Sequence, residues 1–274
     1  MKIRGESQGG GTPLLPVLER LPVLSRYVKT RGWHYVISWL HRLTGIGLIL
    51  LLIVHMYVSS SQTPDVFFTD MLIPVRPILL FLGWASSFVV GFHALNGGRL
   101  ILYELFGMRD DGDMIRWIFG LSAMYAAMVG LMMAMNNQRV SAFFFWLMAL
   151  SLGAIVTYVV ASRLWKKRHS ILWKLQRISG AFLFITVPAY FLLSYLNPSE
   201  VDRAQEAVAQ MQDVFARLAL LTLAASALYH AGYGLFSIAA DYIPSGRIRA
   251  GMTVLILVVI AVFAVSAFRL ILSI

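Results

Sequence analysis

The 274-residue chain is strongly hydrophobic, basic and free of cysteine. Hydrophobic residues make up 59% of it and charged residues 13%, whereas soluble domains carry about 25% charged residues. So few charges exclude a soluble enzyme, and several runs of about 20 apolar residues predict membrane-spanning helices instead. The lack of cysteine excludes disulfides, thiolate zinc sites and iron–sulfur clusters held by this chain.

Seven hydrophobic segments are long enough to cross a membrane as α-helices. They cover residues 36–59, 77–104, 115–135, 141–162, 172–196, 214–240 and 251–273. The first segment is too long for a signal-peptide core and no small-residue cleavage site follows it, so we expect it to be retained. The predicted fold class is therefore an all-α bundle of seven transmembrane helices.

The positive charges are distributed unequally between the two ends of these segments. With the N-terminus in the cytoplasm, 18 of the 23 Lys and Arg residues lie on the cytoplasmic side. The other five are Arg76, Arg139, Arg203, Arg217 and Arg269. This bias predicts a cytoplasmic N-terminus and a C-terminus outside. The net charge of +10 then reflects topology, and nucleic-acid binding is not expected. Four tryptophans are expected in the aromatic belt at the inner interface: Trp33, Trp39, Trp165 and Trp173.

The two halves of the chain repeat each other. Residues 41–45 (HRLTG) open the first span, and residues 176–180 (QRISG) open the fifth. The second span of each half carries a histidine followed eleven residues later by an acidic residue: His93 with Glu104, and His230 with Asp241. The repeat indicates two related units of three helices.

The fourth span links these two units. A three-span unit that starts inside ends outside, so a second unit in the same orientation requires one linking helix. We predict a cytoplasmic N-terminal segment, a three-helix unit, a linking transmembrane helix and a second three-helix unit, over residues 1–35, 36–136, 137–168 and 169–274. The two units are then parallel, and His93 and His230 lie at comparable depth, nearer the cytoplasmic side.

Two histidines inside a membrane are candidates for a functional site. Both lie among small residues, in the fragments 91–98 (GFHALNGG) and 227–234 (ALYHAGYG). Small side chains leave space for close helix packing or for a flat cofactor. The matched pair fits bis-histidine ligation of a b-type haem, which needs no covalent attachment motif. The alternative is that each histidine simply hydrogen-bonds to a neighbouring helix.

These motifs resemble the membrane anchor of succinate:quinone oxidoreductase (respiratory complex II) with its two cytochrome b anchor subunits fused. Residues 38–45 (SWLHRLTG) match the signature S-x-x-H-R-x-[ST]-G of the larger anchor, and residues 93–99 (HALNGGR) approximate its H-x-x-x-G-x-R. The second half resembles the smaller anchor in Arg177, His230-Ala231-x-x-Gly234 and Asp241-Tyr242. The resemblance covers about residues 33–273 except for the linking helix.

The resemblance implies a membrane subunit of succinate dehydrogenase or fumarate reductase in the cytoplasmic membrane of a prokaryote. The subunit would pass electrons between an iron–sulfur subunit and membrane quinone. Succinate chemistry would belong to a flavoprotein partner, because the chain has no dinucleotide-binding fingerprint and is not expected to act on succinate alone. A homotrimer of complexes is a further option. The choice of ubiquinone or menaquinone, and the direction of electron flow, stay open.

The resemblance also implies roles for single residues. His93 and His230 would be the axial ligands of haem b, and His41, Arg42 and Arg177 would lie near its propionates. The quinone site would contain Ser38, Arg42, Asp241 and Tyr242. Independently of the family, a quinone needs hydrogen-bond donors at its oxygens and a cation near its developing negative charge, which a phenol, a hydroxyl and a guanidinium supply. The alternative for Arg42 and Arg177 is snorkelling to the interface.

His55 is the residue whose role the sequence leaves open. It follows His41 by fourteen residues, toward the outer side, where anchors with two haems carry a distal ligand. The equivalent residue of the fifth span is Tyr190, and no other histidine falls near the outer side. We therefore expect one haem. The alternatives are a helix-packing hydrogen bond, a relic, or a second haem site completed by Met or Tyr.

Two other classes of membrane protein remain open. The cytochrome b subunit of a formate or hydrogen dehydrogenase usually carries more histidines, over four or five helices. A seven-span receptor or transporter is the second class. A retinal protein needs a Schiff-base lysine in its last helix, and residues 251–273 contain none. Transporters commonly show broken helices, for which Pro188 in the fifth span is the single indication.

Overall fold

Seven α-helices make up the described part of the chain. A computed structural model describes residues 22–59, 76–107, 111–135, 140–194, 196 and 214–272. The helices are α1 (Pro22–Ser59), α2 (Arg76–Phe106), α3 (Asp111–Met135), α4 (Ala142–Leu164), α5 (Ile171–Leu193), α6 (Val214–Tyr242) and α7 (Gly246–Leu272). The predicted all-α bundle of seven long helices is confirmed.

Most of these helices have the length and apolar surface of membrane spans. Among the described residues, six are long and apolar enough to cross a membrane: Gly32–His55, Gly112–Met135, Phe143–Leu164, Ile171–Leu193, Val214–Tyr242 and Gly246–Arg269. The remaining helix, α2, has 31 residues and is also long enough to cross. Large apolar side chains such as Leu50, Met148 and Val254 are more than half exposed, which places them against lipid in a bilayer. The chain is an integral membrane protein.

The first helix changes direction at Gly32. The backbone there has φ 77° and ψ 166°, a conformation that glycine adopts at little cost and other residues rarely do. The residues before Gly32 form a short helix of their own that leads into the span. The predicted N-terminal segment 1–35 thus ends in this bend, and its residues 1–21 lie outside the described residues.

Four helices form a closed ring at the centre of the bundle. Helix α2 contacts α1 and α5, and α6 contacts α5 and α1. The other three helices lie outside the ring: α3 packs on α2, α7 on α6, and α4 mainly on α5. Each half therefore contributes its first two helices to the ring, and these helices carry the predicted site residues.

The fifth helix runs unbroken through Pro188. Helix α5 extends from Ile171 to Leu193, and the hydroxyl of Tyr125 on α3 donates a hydrogen bond of 2.7 Å to the carbonyl oxygen of Pro188. The proline is accommodated without the interruption that a discontinuous transporter helix would show. The indication of a transporter in this segment is therefore not supported.

Candidate functional site

His93 and His230 lie close together at the centre of the ring. They project from α2 and α6, and their ring centroids are 6.4 Å apart with the ring planes at 88°. The sequence predicted the same depth for both residues from topology alone. The structure brings the two imidazoles within reach of a single ligand.

The side chain of His93 is held by the repeated fragment of α1. Its Nδ1 lies 3.2 Å from the carbonyl oxygen of His41 and 3.2 Å from the hydroxyl of Thr44, which donates to the carbonyl of Leu40. Because a carbonyl only accepts, Nδ1 carries the proton and the lone pair is on Nε2. A Cβ on Gly45 would lie 3.0 Å from Cε1 of His93, so glycine permits this close approach.

His230 is held in the same way by α5. Its Nδ1 lies 3.3 Å from the carbonyl oxygen of Gln176 and 3.5 Å from the hydroxyl of Ser179. A Cβ on Gly180 would lie 3.0 Å from Cε1 of His230. The two repeated fragments therefore form equivalent seats, and both histidines keep Nε2 as the ligand atom. The sequence predicted the histidines but not their seats, although the repeat itself carried the signal.

The donor set fits an iron held between two imidazoles. Among the described residues, no group of three or more His, Asp or Glu side chains is arranged to hold a metal ion. A zinc site needs three or four protein ligands, whereas a haem iron takes only its axial ligands from the protein. Two metal–nitrogen bonds of about 2.0–2.1 Å, with roughly 1.1 Å from each nitrogen to its ring centroid, give a centroid separation of about 6 Å. The observed 6.4 Å agrees with this value.

Two buried polar atoms beside the histidines have no protein partner. The ring of His41 stacks on His93 with centroids 4.1 Å apart and planes at 6°. Among the described residues, Nδ1 of His41 and Oε1 of Gln176 are buried without a hydrogen bond. Buried polar atoms are almost always paired. A bound group with polar edges would supply the missing partners.

The four predicted quinone-site residues meet at the ends of α1 and α6. Arg42 donates one hydrogen bond of 3.1 Å to the Ser38 hydroxyl and one of 2.9 Å to the Asp241 carboxylate. Its guanidinium carbon lies 5.3 Å from the ring centroid of Tyr242. Trp39, which the sequence assigned only to the aromatic belt, lies 5.3 Å from the Tyr242 ring between centroids. The side chains form one cluster contributed by both halves of the chain.

Arg177 is bound to an acidic residue of the first half. Its Nε and Nη2 donate bonds of 2.7 and 2.6 Å to the two carboxylate oxygens of Glu104. The guanidinium also lies 4.8 Å from the ring centroid of Trp173. Both Arg42 and Arg177 are thus engaged in ion pairs between the halves, and neither simply snorkels. Sequence reasoning noted the spacing of Glu104 but gave the residue no role.

His55 is not part of this cluster. It follows His41 by fourteen residues, which is about 21 Å along a helix that rises 1.5 Å per residue. Its Nε2 lies 3.3 Å from the hydroxyl oxygen of Tyr190 on α5. These two residues occupy equivalent positions of the repeat, so the structure pairs His55 with a phenol.

Comparison with protein families agrees with the repeat. The family model described as succinate dehydrogenase/fumarate reductase transmembrane subunit matches the chain twice, over residues 22–131 and 157–266. None of the curated proteins or solved structures compared with the chain gives a match. The two matches together cover most of the chain, and each includes one set of three helices. The chain therefore belongs to the succinate dehydrogenase/fumarate reductase transmembrane subunit family, with two family units fused in one polypeptide.

Proposed function

We propose that this chain is the membrane anchor of a succinate:quinone oxidoreductase, that it holds one haem b, and that it binds the membrane quinone. The observation that carries the proposal is the equivalent seating of His93 and His230. Each Nδ1 is hydrogen-bonded to a carbonyl of its own unit, which leaves two Nε2 atoms as ligands at the centre of the ring. Such a matched pair fits one axial ligand from each half.

When bound, haem b supplies a one-electron carrier between the iron–sulfur partner and the quinone. The carbonyls of His41 and Gln176 fix the tautomer of the two ligands and make each Nε2 a better donor. The unpaired Nδ1 of His41 and Oε1 of Gln176 are available to the polar edge of the group. Arg42 and Arg177 are the cations nearest in sequence to the two seats, and they are the proposed propionate contacts together with His41.

The quinone is bound by the cluster of Ser38, Arg42, Asp241 and Tyr242. The phenol of Tyr242 and the hydroxyl of Ser38 are donors for the quinone oxygens. Arg42 stabilises negative charge that develops during reduction, and Asp241 holds the guanidinium in place at 2.9 Å. Because the side chain of Asp241 is 50% exposed and Tyr242 is 46% exposed, protons can reach the site from water.

A single haem is proposed because His55 has a phenol opposite it. The hydrogen bond between His55 and Tyr190 supports the helix-packing interpretation among those the sequence left open. A second haem would need a second strong axial ligand at this depth, and tyrosinate ligation would require the loss of this hydrogen bond.

The partners are an iron–sulfur subunit and a flavoprotein subunit, which hold the cofactors this chain cannot. The proposed docking face is the cytoplasmic one, where 18 of the 23 Lys and Arg residues are expected. The N-terminus is accordingly proposed to be cytoplasmic and the C-terminus outside. The four-segment division of the chain, with α4 as the linking helix, is part of the same proposal.

The family assignment favours this function over the two alternatives. A formate or hydrogen dehydrogenase subunit is disfavoured by the double match to the succinate dehydrogenase/fumarate reductase family. A transporter is disfavoured by the same match and by the continuity of α5 through Pro188.

The test of the proposal is haem content in the purified complex. We expect a reduced-minus-oxidised spectrum of a low-spin b-type haem, and a pyridine haemochrome assay with one haem per chain. His93→Ala and His230→Ala should each abolish the signal, while the control His34→Ala, at the exposed end of α1, should retain it. Full low-spin haem in both variants would show that the ligand assignment is wrong.

A further inference from the structure

The contacts of the central ring occur in pairs related by the repeat. Arg177 follows Arg42 by 135 residues, and Asp241 follows Glu104 by 137 residues. Arg42 binds Asp241, and Arg177 binds Glu104. Each ion pair thus joins the first helix of one unit to the second helix of the other, and the two are equivalent positions of the duplicated unit.

The same spacing generates a counterpart for every residue of the proposed quinone site. The first copy consists of Ser38, Arg42, Asp241 and Tyr242. The second copy consists of Trp173, Arg177, Glu104 and Leu105. The ion pair is present in both copies, but the second copy has an indole in place of the Ser38 hydroxyl and an isobutyl group in place of the Tyr242 phenol.

The first copy is accessible to a ligand from outside the bundle. Ser38 and Asp241 are exposed, and Tyr242 is 46% exposed. The guanidinium of Arg42 keeps only a small hydroxyl at the serine position, with 3.1 Å between Nη1 and Oγ. A flat ring can therefore approach the cation and the phenol together.

The second copy is filled by the protein itself. The indole of Trp173 lies against the guanidinium of Arg177, 4.8 Å from its carbon to the ring centroid. Trp173 and Leu105 also pack against a buried cluster of Val160, Leu164 and Ala181, which α4 and α5 provide.

The segment after α4 closes the second copy further. Lys167 donates a hydrogen bond from Nζ to the carbonyl oxygen of Glu104. The side chain of Glu104 is 28% exposed, about half the value for Asp241 in the first copy. The linking helix and the turn that follows it thus cover one copy of the site.

We propose that Trp173, assisted by Leu105, excludes quinone from the second copy, so that the chain has one quinone site although its duplication supplies the framework for two. The inference rests on the proposed quinone site in the first copy. The indole occupies the face of the guanidinium that a quinone ring would need, and Leu105 offers no donor to a quinone oxygen. The Arg177–Glu104 pair then serves as a fixed link between the units.

The experiment is photolabelling of the whole complex in membranes with an azido-substituted benzoquinone that carries a short isoprenoid tail. Label that excess unlabelled quinone competes away is mapped to peptides. For the wild type we expect it around residues 38 and 242, exceeding label around residues 105 and 173 by about tenfold or more, a difference of about 1.4 kcal/mol in binding. Equal competed label at both copies would overturn the inference and leave the first-copy site intact.

Two variants test the excluding residues. Trp173→Ser, alone and combined with Leu105→Tyr, should add competed label around residue 173 while label at the first copy persists. The control Trp165→Ala removes an exposed indole from the end of α4 and should leave the wild-type pattern. No gain of second-copy label in the double variant, with first-copy label retained, would contradict the role of Trp173. Absence of competed label at both copies of the wild type would instead contradict the proposed quinone site.

Discussion

Arg42 and Asp241, which lie 199 residues apart in the chain, form an ion pair with 2.9 Å between Nη2 and Oδ2. The contact joins the first helix of one repeated unit to the second helix of the other. Their side chains are 30% and 50% exposed, so water screens the attraction and its contribution to stability is small. Its importance is positional, because it fixes a guanidinium beside the hydroxyl of Ser38 and the ring of Tyr242.

Asp241→Asn should therefore impair the reaction with quinone more than assembly of the complex. The neutral amide no longer pairs with the charge of Arg42, and hydrogen bonds to charged groups are worth about 1.5–3 kcal/mol, or roughly ten- to a hundredfold in rate. The measurement is succinate:quinone reductase activity relative to reduction of a soluble dye by the same complex. We expect the quinone rate to fall about tenfold or more with the dye rate unchanged.

The matched control for this variant is Asp113→Asn. Asp113 also pairs with an arginine, Arg116, at 3.0 Å, but within α3 and away from the cluster. It should leave both rates unchanged. Equal losses in the two variants would mean that any lost ion pair disturbs the complex, and the positional role of Asp241 would have to be abandoned.

Thr44→Val should weaken haem binding without abolishing it. The hydroxyl lies 3.2 Å from Nδ1 of His93, and loss of such an orienting contact behind a ligand typically costs about 10–100-fold in metal affinity. The carbonyl of His41 still holds the ring, so spectra should keep their low-spin form while haem per chain falls and the midpoint potential shifts. Thr222→Val, which removes an exposed hydroxyl bonded to Leu218, serves as the control. Unchanged haem content and potential in Thr44→Val would show that the hydroxyl does not support the ligand.

The sequence predicted the helices and the histidine pair because both depend on local patterns. Apolar runs of fixed length define the spans, and parity of crossings places His93 and His230 at one depth. The partners of Arg42 and Arg177 depend instead on how helices from different units meet, and no periodicity within one helix reports that. Trp173 illustrates the limit: its position predicts an interfacial tryptophan, but its contact with Arg177 is evident only once α4 and α5 are packed.

His55→Ala should leave the haem content at one per chain. His55 hydrogen-bonds to Tyr190 at 3.3 Å and lies about 21 Å along α1 from His41, at 1.5 Å per residue. Removing it breaks a helix-packing contact of about 1 kcal/mol and leaves both seats intact. The pyridine haemochrome assay on wild type, His55→Ala and Tyr190→Phe should give the same stoichiometry. Two haems in the wild type and one in His55→Ala would establish a distal site.

Gly45→Ala and Gly180→Ala should each reduce the amount of bound haem, although the change adds only one methyl group. At either position the new Cβ would lie 3.0 Å from Cε1 of a ligand histidine, a distance that forces the imidazole to move. A displaced ring loses its hydrogen bond to the carbonyl behind it, so haem affinity should fall about tenfold or more. Gly47→Ala is the control in the same helix, because nothing lies within 4 Å of its Cβ position. Haem per chain, normalised to assembled complex, should drop in the first two variants and stay constant in the third; a uniform drop would point to a general loss of helix packing rather than to the ligand seats.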